Sequence, residues 1–230
     1  MSILDLLFPK VCVGCGKWGS YFCPQCIQNI VQHDLICPQC KRVAIGGATH
    51  PGCRRKYNLD GLWSLGAYQN PLKPAIQKLK YKFVSDLGIT LVDLMIEYWA
   101  KYQPQFLEEI KKDRGVGWVV IPVPLHSKRQ KWRGFNQSAL LGQILSKNLG
   151  LGYQEALKRI KYTKPQVGLK GWDRKVNIKN AFVLNSTFLN HKSSILLIDD
   201  VWTTGSTLKE CCYVLKKGGA KKVWAITLAR

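Results

Sequence analysis

Short apolar runs alternate with amphipathic stretches over most of the chain. Four apolar runs predict strands, at residues 59–68, 118–123, 194–198 and 222–228. Four stretches carry apolar residues at helical spacing, at residues 71–82, 85–102, 136–148 and 207–217. Asn136 is a plausible N-cap, whereas residues 103–117 and 159–180 lack a clear period and are predicted to be connections. The alternation predicts an α/β fold with a doubly wound, mostly parallel sheet, which binds ligands at the carboxyl ends of its strands.

The N-terminal part of the chain follows a different pattern, set by cysteine. Seven of the nine cysteines lie within residues 12–53, six of them as C-x2-C pairs. The candidate metal ligands are Cys12, Cys15, Cys23, Cys26, Cys37, Cys40, His50 and Cys53. This spacing suits two structural, tetrahedral Zn²⁺ sites, one with four Cys and one with three Cys and one His. An interleaved pairing and a single filled site remain open, and His50 is the weakest member of the set.

Few large apolar groups lie in this segment, so it needs metal to fold. We therefore predict a small zinc-binding module, double zinc-ribbon-like, at residues 1–57 and a second domain at residues 58–230. Redox dithiols are the alternative, but no thioredoxin-like unit surrounds the pairs.

The charge balance points to anionic partners. The chain has 35 basic and 14 acidic residues, a formal net charge of +21, which favours phosphate-bearing ligands, small or polymeric, over a merely solubilising surface. Trp132, Phe135, Tyr162 and Trp172 lie among the basic residues and predict either a stacking surface for a single strand or ordinary packing. No apolar stretch reaches bilayer length, and the first ten residues lack a basic leader, so we expect a cytoplasmic protein.

The segment ILLIDDVWTTGST, at residues 195–207, carries the most specific chemistry. An apolar strand ends in two carboxylates, Asp199 and Asp200, and a hydroxyl-rich loop then leads into a helix. Backbone N–H groups at a helix N-terminus bind phosphate, while carboxylates accept hydrogen bonds from vicinal sugar hydroxyls. The spacing matches neither a P-loop nor the GxGxxG fingerprint. A capped turn without a ligand is the alternative, although adjacent carboxylates repel each other without a partner.

These residues resemble the phosphoribosyl-pyrophosphate (PRPP) signature of type I phosphoribosyltransferases. With the LLFP-x2-C-x2-C start, VPLHSKRQKWRGFNQ, PQVGL with Arg174 and Asn177, and the LAR ending, the whole chain resembles the ComF (ComFC) family of competence-associated proteins. One departure is Lys56, which stands where relatives carry a further Cys; it puts the second zinc in doubt unless His50 substitutes.

The resemblance implies a role for each matching position. Asp199 and Asp200 would hold the ribose hydroxyls and serve as the candidate catalytic residues, with His126 as a second candidate base. The 5-phosphate cradle would comprise Thr203, Thr204, Gly205, Ser206 and Thr207. The pyrophosphate region would comprise Pro124, Leu125, His126, Arg129 and Arg133. Residues 161–177 would form a hood over the site.

The resemblance also implies PRPP binding with Mg²⁺, phosphoribosyl transfer to an unidentified acceptor, and a role in DNA uptake during natural transformation. The expected partners are PRPP, single-stranded DNA and a helicase-like competence protein, through which the chain would reach the inner face of the membrane. The alternative is a single-stranded DNA-binding or adaptor protein that keeps the fold without transferase activity.

Overall fold

The computed structural model describes residues 10–80, 85–115, 117–162, 178–185 and 193–230. The LLFP start, the PQVGL segment, Trp172, Arg174 and Asn177 lie outside the described residues, as does most of the predicted hood.

A five-stranded sheet forms the centre of the fold. Its strands are β1 (Gly61–Gly66), β2 (Trp118–Pro122), β3 (Gly152–Tyr153), β6 (Ser194–Val201) and β7 (Lys222–Ala229). They lie in the order β1-β7-β6-β2-β3, and every neighbouring pair is parallel. Two further strands, β4 (Leu157–Arg159) and β5 (Phe182–Leu184), form a separate antiparallel pair. The mostly parallel sheet predicted from the sequence is confirmed.

Helices connect the strands and cover the sheet. They are α1 (Pro24–Gln28), α2 (Leu72–Lys78), α3 (Ser85–Tyr102), α4 (Gln105–Lys112), α5 (Ser127–Arg133), α6 (Gln137–Leu149) and α7 (Ser206–Lys217), with 3-10 turns at Ile45–Gly47 and Pro51–Cys53. The predicted cap is confirmed, because the Asn136 side chain accepts a hydrogen bond from the Ser138 N–H at the start of α6. In the described part of the chain, no helix is both long and apolar enough to cross a membrane.

Two predicted connections need correction, and one helix, α5, was not predicted. Residues 103–117 contain α4, which buries only Phe106 and Ile110 and is too short to display a clear helical period. Helix α5 buries no residue, so its sequence carries no apolar period at all. The predicted loop at 159–180 begins inside β4, whose residue Arg159 pairs with Phe182 of β5.

The core lies on both faces of the sheet. On one face, Trp63, Trp99, Phe106 and Trp224 make successive ring contacts with centroids 5.0–5.6 Å apart. On the other face, α7 buries Leu208, Cys211, Cys212 and Leu215. The cysteine-rich segment adds to both cores, with Phe22 and Ile30 on the first and Ile36 on the second. The division at residues 57 and 58 stays a prediction.

Candidate functional site

The N-terminal cysteines form two groups, each able to hold one metal ion. The ligand atoms of Cys12, Cys15, Cys23 and Cys26 all lie within 4.8 Å of one another, and those of Cys37, Cys40, His50 and Cys53 do the same. The pairing is therefore successive rather than interleaved. Sulfur and imidazole ligands in sets of four suit structural Zn²⁺.

Local backbone geometry favours the thiolate form of one cysteine in each group, whereas burial and the neighbouring thiols raise the pKa of Cys26 and Cys53. Burial alone would raise the pKa of Cys12, but backbone N–H groups of Cys23, Cys15 and Gly14 outweigh it and lower that pKa to about 6. The pKa of Cys37 is lowered to about 7 in the same way, burial again opposing the effect of backbone N–H groups. The thiolate is the form that binds metal.

His50 lies where it could act as a ligand of the second group. Its Nδ1 lies 3.3 Å from the Cys40 Sγ, and its Nε2 lies 2.9 Å from the carbonyl oxygen of Val43. When Nε2–H donates to that carbonyl, the lone pair is on Nδ1, facing the cysteines; a hydrogen bond of this kind commonly orients a metal-binding histidine. His50 thus offers a fourth ligand atom to the second group, at which position 56 is Lys and not Cys.

A cavity of about 750 Å³ opens where β2 and β6 end. The carboxyl ends of these adjacent parallel strands meet at one edge of the sheet, where such folds bind ligands. Ten predicted site residues line the cavity: Pro124, Leu125, Arg129, Arg133, Asp199, Asp200, Thr203, Gly205, Ser206 and Thr207. Two others, His126 and Thr204, are not among the described residues that line it. The predicted roles of all twelve stay predictions.

The two carboxylates are held by the first turn of α6. Asp199 Oδ1 accepts hydrogen bonds from the Ser138 hydroxyl at 3.0 Å and from the Asp200 N–H at 2.9 Å. Asp200 Oδ2 accepts one from the Gln137 side-chain amide at 3.1 Å. The side-chain oxygen of Gln137, Oε1, in turn accepts a hydrogen bond from the Arg133 guanidinium at 3.2 Å. A chain of hydrogen bonds therefore joins a cavity cation to a cavity acid.

Sequence reasoning missed Gln137 and Ser138 as members of this site. Both are buried, at 4% and 1% exposure, in a helix whose other inward residues are mostly apolar. Their signal was present in the RGFNQS sequence, where two polar residues occupy inward positions directly after the cap.

Burial and charge perturb the acid pair. Burial, and next the neighbouring Asp200, raise the pKa of Asp199 to about 7. A carboxyl group that titrates near neutrality is a common mark of a functional site.

Five cations line the same cavity: Lys80, Lys128, Arg129, Arg133 and Arg159. Arg159 is the most buried of the five, with 9% of its surface exposed. Its guanidinium lies 5.4 Å from the centroid of the Phe182 ring. Burial, followed by the nearby Arg129, lowers the pKa of Arg159. Since the lining contains two carboxylates, the cavity is electropositive overall and suits an anionic ligand.

The loop before α7 is shaped by one glycine. Gly205 has a φ of 78°, in the left-handed region, and a Cβ there would overlap the buried indole of Trp202. The N-cap residue of α7, Gly205, offers no side-chain cap, and the Ser206 N–H at the start of the helix donates to the Thr204 hydroxyl oxygen at 3.4 Å. The Thr204 hydroxyl lies 2.9 Å from the Ser206 hydroxyl, which adds a second donor group to the turn. Together these groups can bind phosphate.

Tyr162, three residues after the end of β4, lines the cavity. Its ring is 5.2 Å from that of His126, while Lys128 and Arg129 lie 5.3 and 5.9 Å from its centroid. Burial, then Arg159, Lys128 and Arg129, lower the pKa of His126. His126 also caps α5, its Nδ1 accepting from the Lys128 N–H at 3.2 Å. The imidazole is therefore engaged as a neutral acceptor.

The chain is similar to known proteins over nearly its whole length. It is 32% identical over 226 residues to competence protein F of Haemophilus influenzae, covering 96% of this chain and 90% of that protein. The chain belongs to the ComF family. DNA utilization protein YhgH of Escherichia coli K12 is 32% identical over 240 residues, covering 98% of this chain and 99% of its own.

A more distant relative also matches over most of the chain. Competence protein ComFC of Bacillus subtilis is 25% identical over 227 residues, covering 91% of this chain and 83% of that protein. No family model matches the chain. Among solved structures, adenine phosphoribosyltransferase of Leishmania tarentolae is similar with a TM-score of 0.33 and 16% identity, covering 60% of this chain and 54% of that one.

Proposed function

We propose that this ComF-family protein binds PRPP with Mg²⁺ in the cavity at the ends of β2 and β6. The observation that carries the proposal is the pairing of hydroxyl-accepting carboxylates with a phosphate-binding turn in one electropositive cavity. Asp199 and Asp200 would accept from the ribose hydroxyls, and residues 203–207 would bind the 5-phosphate. Arg129 and Arg133, on α5, would neutralise the pyrophosphate.

The cavity suits Mg²⁺ by its donor chemistry. Its lining supplies carboxylate and hydroxyl oxygens, the hard ligands that Mg²⁺ takes together with substrate phosphates. Bound there, the ion would neutralise charge on the pyrophosphate. The remaining work falls to the chain: α6 orients the acids, and the cations stabilise charge on the departing group.

We propose further that the protein transfers the phosphoribosyl group, with an acceptor still to be identified. Asp200 is the favoured general base, since the Asp199 carboxylate already accepts two hydrogen bonds from the protein through one oxygen. The capping contact of His126 makes it a weaker candidate.

Calorimetry with PRPP and Mg²⁺ tests the binding proposal. The parent protein should bind, and the double variant Asp199→Asn, Asp200→Asn should bind at least tenfold more weakly, because both acceptors lose their charge. Ribose 5-phosphate and pyrophosphate, titrated separately, should each bind more weakly than PRPP. Equal affinity of the parent and the double variant for PRPP would reject the site.

In the cell, we propose a cytoplasmic role in DNA uptake during natural transformation. The names competence protein F and DNA utilization protein YhgH, carried by relatives over nearly their full lengths, support it. Single-stranded DNA and a helicase-like competence protein are the partners this role requires. Loss of transformation in a deletion strain, restored by the parent gene and not by the double Asn variant, would link the cavity to uptake.

A second candidate is a single-stranded DNA-binding adaptor that keeps the fold without transferase activity. It is favoured by the exposed, basic α5, which carries Trp132. Pyrophosphate release in the presence of candidate acceptors separates the two. An adaptor would bind DNA with an affinity that falls steeply with salt concentration. It would release no pyrophosphate.

A further inference from the structure

Helix α5, SKRQKWR, has no role in the core and borders the cavity. None of its residues is buried, it contains four basic and no acidic side chains, and Lys128, Arg129, Trp132 and Arg133 all line the cavity. A short helix with this composition at the rim of a binding site is suited to contact an extended anion.

Trp132 is the unusual member of this helix. Its side chain is 83% exposed, although it borders the cavity, and among the described residues no aromatic ring stacks on it. Exposed indoles next to basic side chains are platforms on which the bases of single strands stack. Trp18, in the cysteine-rich segment, is 78% exposed but does not line the cavity, so it serves as an internal comparison.

We propose that the cavity binds the 3′-terminal nucleotide of single-stranded DNA. Its 5′-phosphate lies at residues 203–207, and the preceding nucleotides continue from there to α5, which lines the same cavity, so that a base stacks on Trp132. The inference rests on the proposed function, since it uses the same sugar-phosphate site. The terminal sugar takes the position of the ribose, and its 5′-phosphate takes the position of the 5-phosphate of PRPP.

Charge at the two acids sets the polarity of the strand. Asp199 and Asp200 accept hydrogen bonds and cannot donate them when ionised. A 3′-terminal nucleotide presents a free 3′-hydroxyl to these acids. Every other nucleotide of the strand, including the one at the 5′ end, carries a phosphodiester on that oxygen, and two carboxylates repel it. The cradle and cations, in contrast, accept a phosphate on the 5′ side.

Fluorescence anisotropy with a 5′-labelled oligodeoxynucleotide tests this polarity. A strand with a 3′-hydroxyl should bind at least about tenfold more tightly than the same strand with a 3′-phosphate. PRPP with Mg²⁺ should displace the 3′-hydroxyl strand, because both occupy one site. Equal affinity for the two ends, or tighter binding that depends on a 5′-phosphate, overturns the proposal.

Substitution at the rim provides the second measurement. Trp132→Ala should weaken binding of the 3′-hydroxyl strand by about tenfold, and Trp132→Phe should retain most of the affinity, as expected for loss and recovery of one stacked base. Trp18→Ala is the matched control and should change nothing. Because Trp132 is exposed, the variants should fold normally. Unchanged binding by Trp132→Ala also overturns the proposal.

The outcomes separate this inference from the proposed function. Calorimetric binding of PRPP without any preference for the 3′-hydroxyl strand removes the strand-end proposal and leaves the proposed function intact. A preference for the 3′-hydroxyl strand without PRPP binding supports the strand-end site and removes the proposed function.

Discussion

Gln137 is the residue on which the orientation of Asp200 depends, and its substitution offers the sharpest test of the site. Its amide donates to Asp200 Oδ2 at 3.1 Å, and its carbonyl accepts from Arg133 at 3.2 Å. The side chain is 4% exposed, so water cannot readily replace it. A hydrogen bond to a charged group contributes about 1.5–3 kcal/mol. Since about 1.4 kcal/mol corresponds to a factor of ten, Gln137→Leu should weaken binding of PRPP with Mg²⁺ by roughly 10- to 100-fold.

Two further variants identify the cause. Gln137→Glu keeps an acceptor for Arg133 but replaces the donor to Asp200 with a repelling charge, so it should weaken binding at least as much as Gln137→Leu. Gln143→Leu, on the exposed face of the same helix, should bind like the parent. Calorimetry measures all three, and thermal unfolding checks their folding.

A double-mutant cycle separates an indirect role from direct ligand contact, because Gln137 itself lines the cavity. If Gln137 acts through Asp200, adding Gln137→Leu to Asp200→Asn should change the affinity by much less than Gln137→Leu does alone. Full additivity of the two substitutions would refute the orienting role, and so would parent-like affinity in Gln137→Leu.

Three other predictions follow from charges and ligands on the described residues. Burial and Asp200 raise the pKa of Asp199 to about 7 in the folded protein, above its unfolded value of about 4. Ionisation of Asp199 therefore lowers the free energy of unfolding as pH rises from about 4 to about 7. Asp199→Asn removes this effect and should raise the Tm at pH about 8 more than at pH about 4. His50→Ala should reduce bound zinc from two ions to one per chain by elemental analysis, because the second group loses a ligand. Lys216→Met should lower the free energy of unfolding by about 1.5–3 kcal/mol in a denaturant titration, since Lys216 Nζ lies 2.7 Å from Asp60 Oδ2 and the lysine side chain is 8% exposed.

Each of these has a control and a contrary outcome. Equal Tm shifts at both pH values would show that Asp199 ionisation does not oppose folding. His33→Ala, at an exposed histidine outside both cysteine groups, should retain two zinc ions, and the same content in His50→Ala would remove His50 as a ligand. Lys217→Met, at the exposed neighbouring position, should leave the free energy of unfolding unchanged. An equal loss of stability in Lys217→Met would show that the ion pair of Lys216 with Asp60 does not cause the effect.

The sheet and the acid-bearing turn could be predicted because their signals are local. The apolar run before Asp199 belongs to a strand buried on both faces, and a run of this kind keeps its character wherever the strand lies in the sheet. Helix α3 was predicted at Ser85–Tyr102, its observed bounds, because apolar residues recur along all 18 positions. The cysteine groups were predictable for a similar reason, since both thiolates of a C-x2-C pair reach one ion.

The parts that escaped prediction depend on contacts distant in sequence or on surfaces without a period. Gln137 and Asp200 are 63 positions apart, and no local pattern pairs them. Helix α5 forms at the rim of the cavity with every residue at least partly exposed, so hydrophobic periodicity could not indicate it. Arg159 lies within a basic stretch that continues to residue 179, and only the pairing of β4 with β5 distinguishes it from its neighbours.

Opposite pKa shifts within one cavity indicate which ligand groups would stabilise its charged side chains. Burial raises the pKa of Asp199, while burial lowers the pKa of Arg159, so each group is less stable in its charged form than it would be in water. The acids and cations that line the cavity therefore do not fully compensate one another. A ligand that carries hydroxyl donors at one end and phosphates at the other would stabilise the ionised acid and the protonated guanidinium together. A sugar phosphate has this arrangement, and so does a 3′-terminal nucleotide, so the charges of the cavity are compatible with both of the proposed ligands.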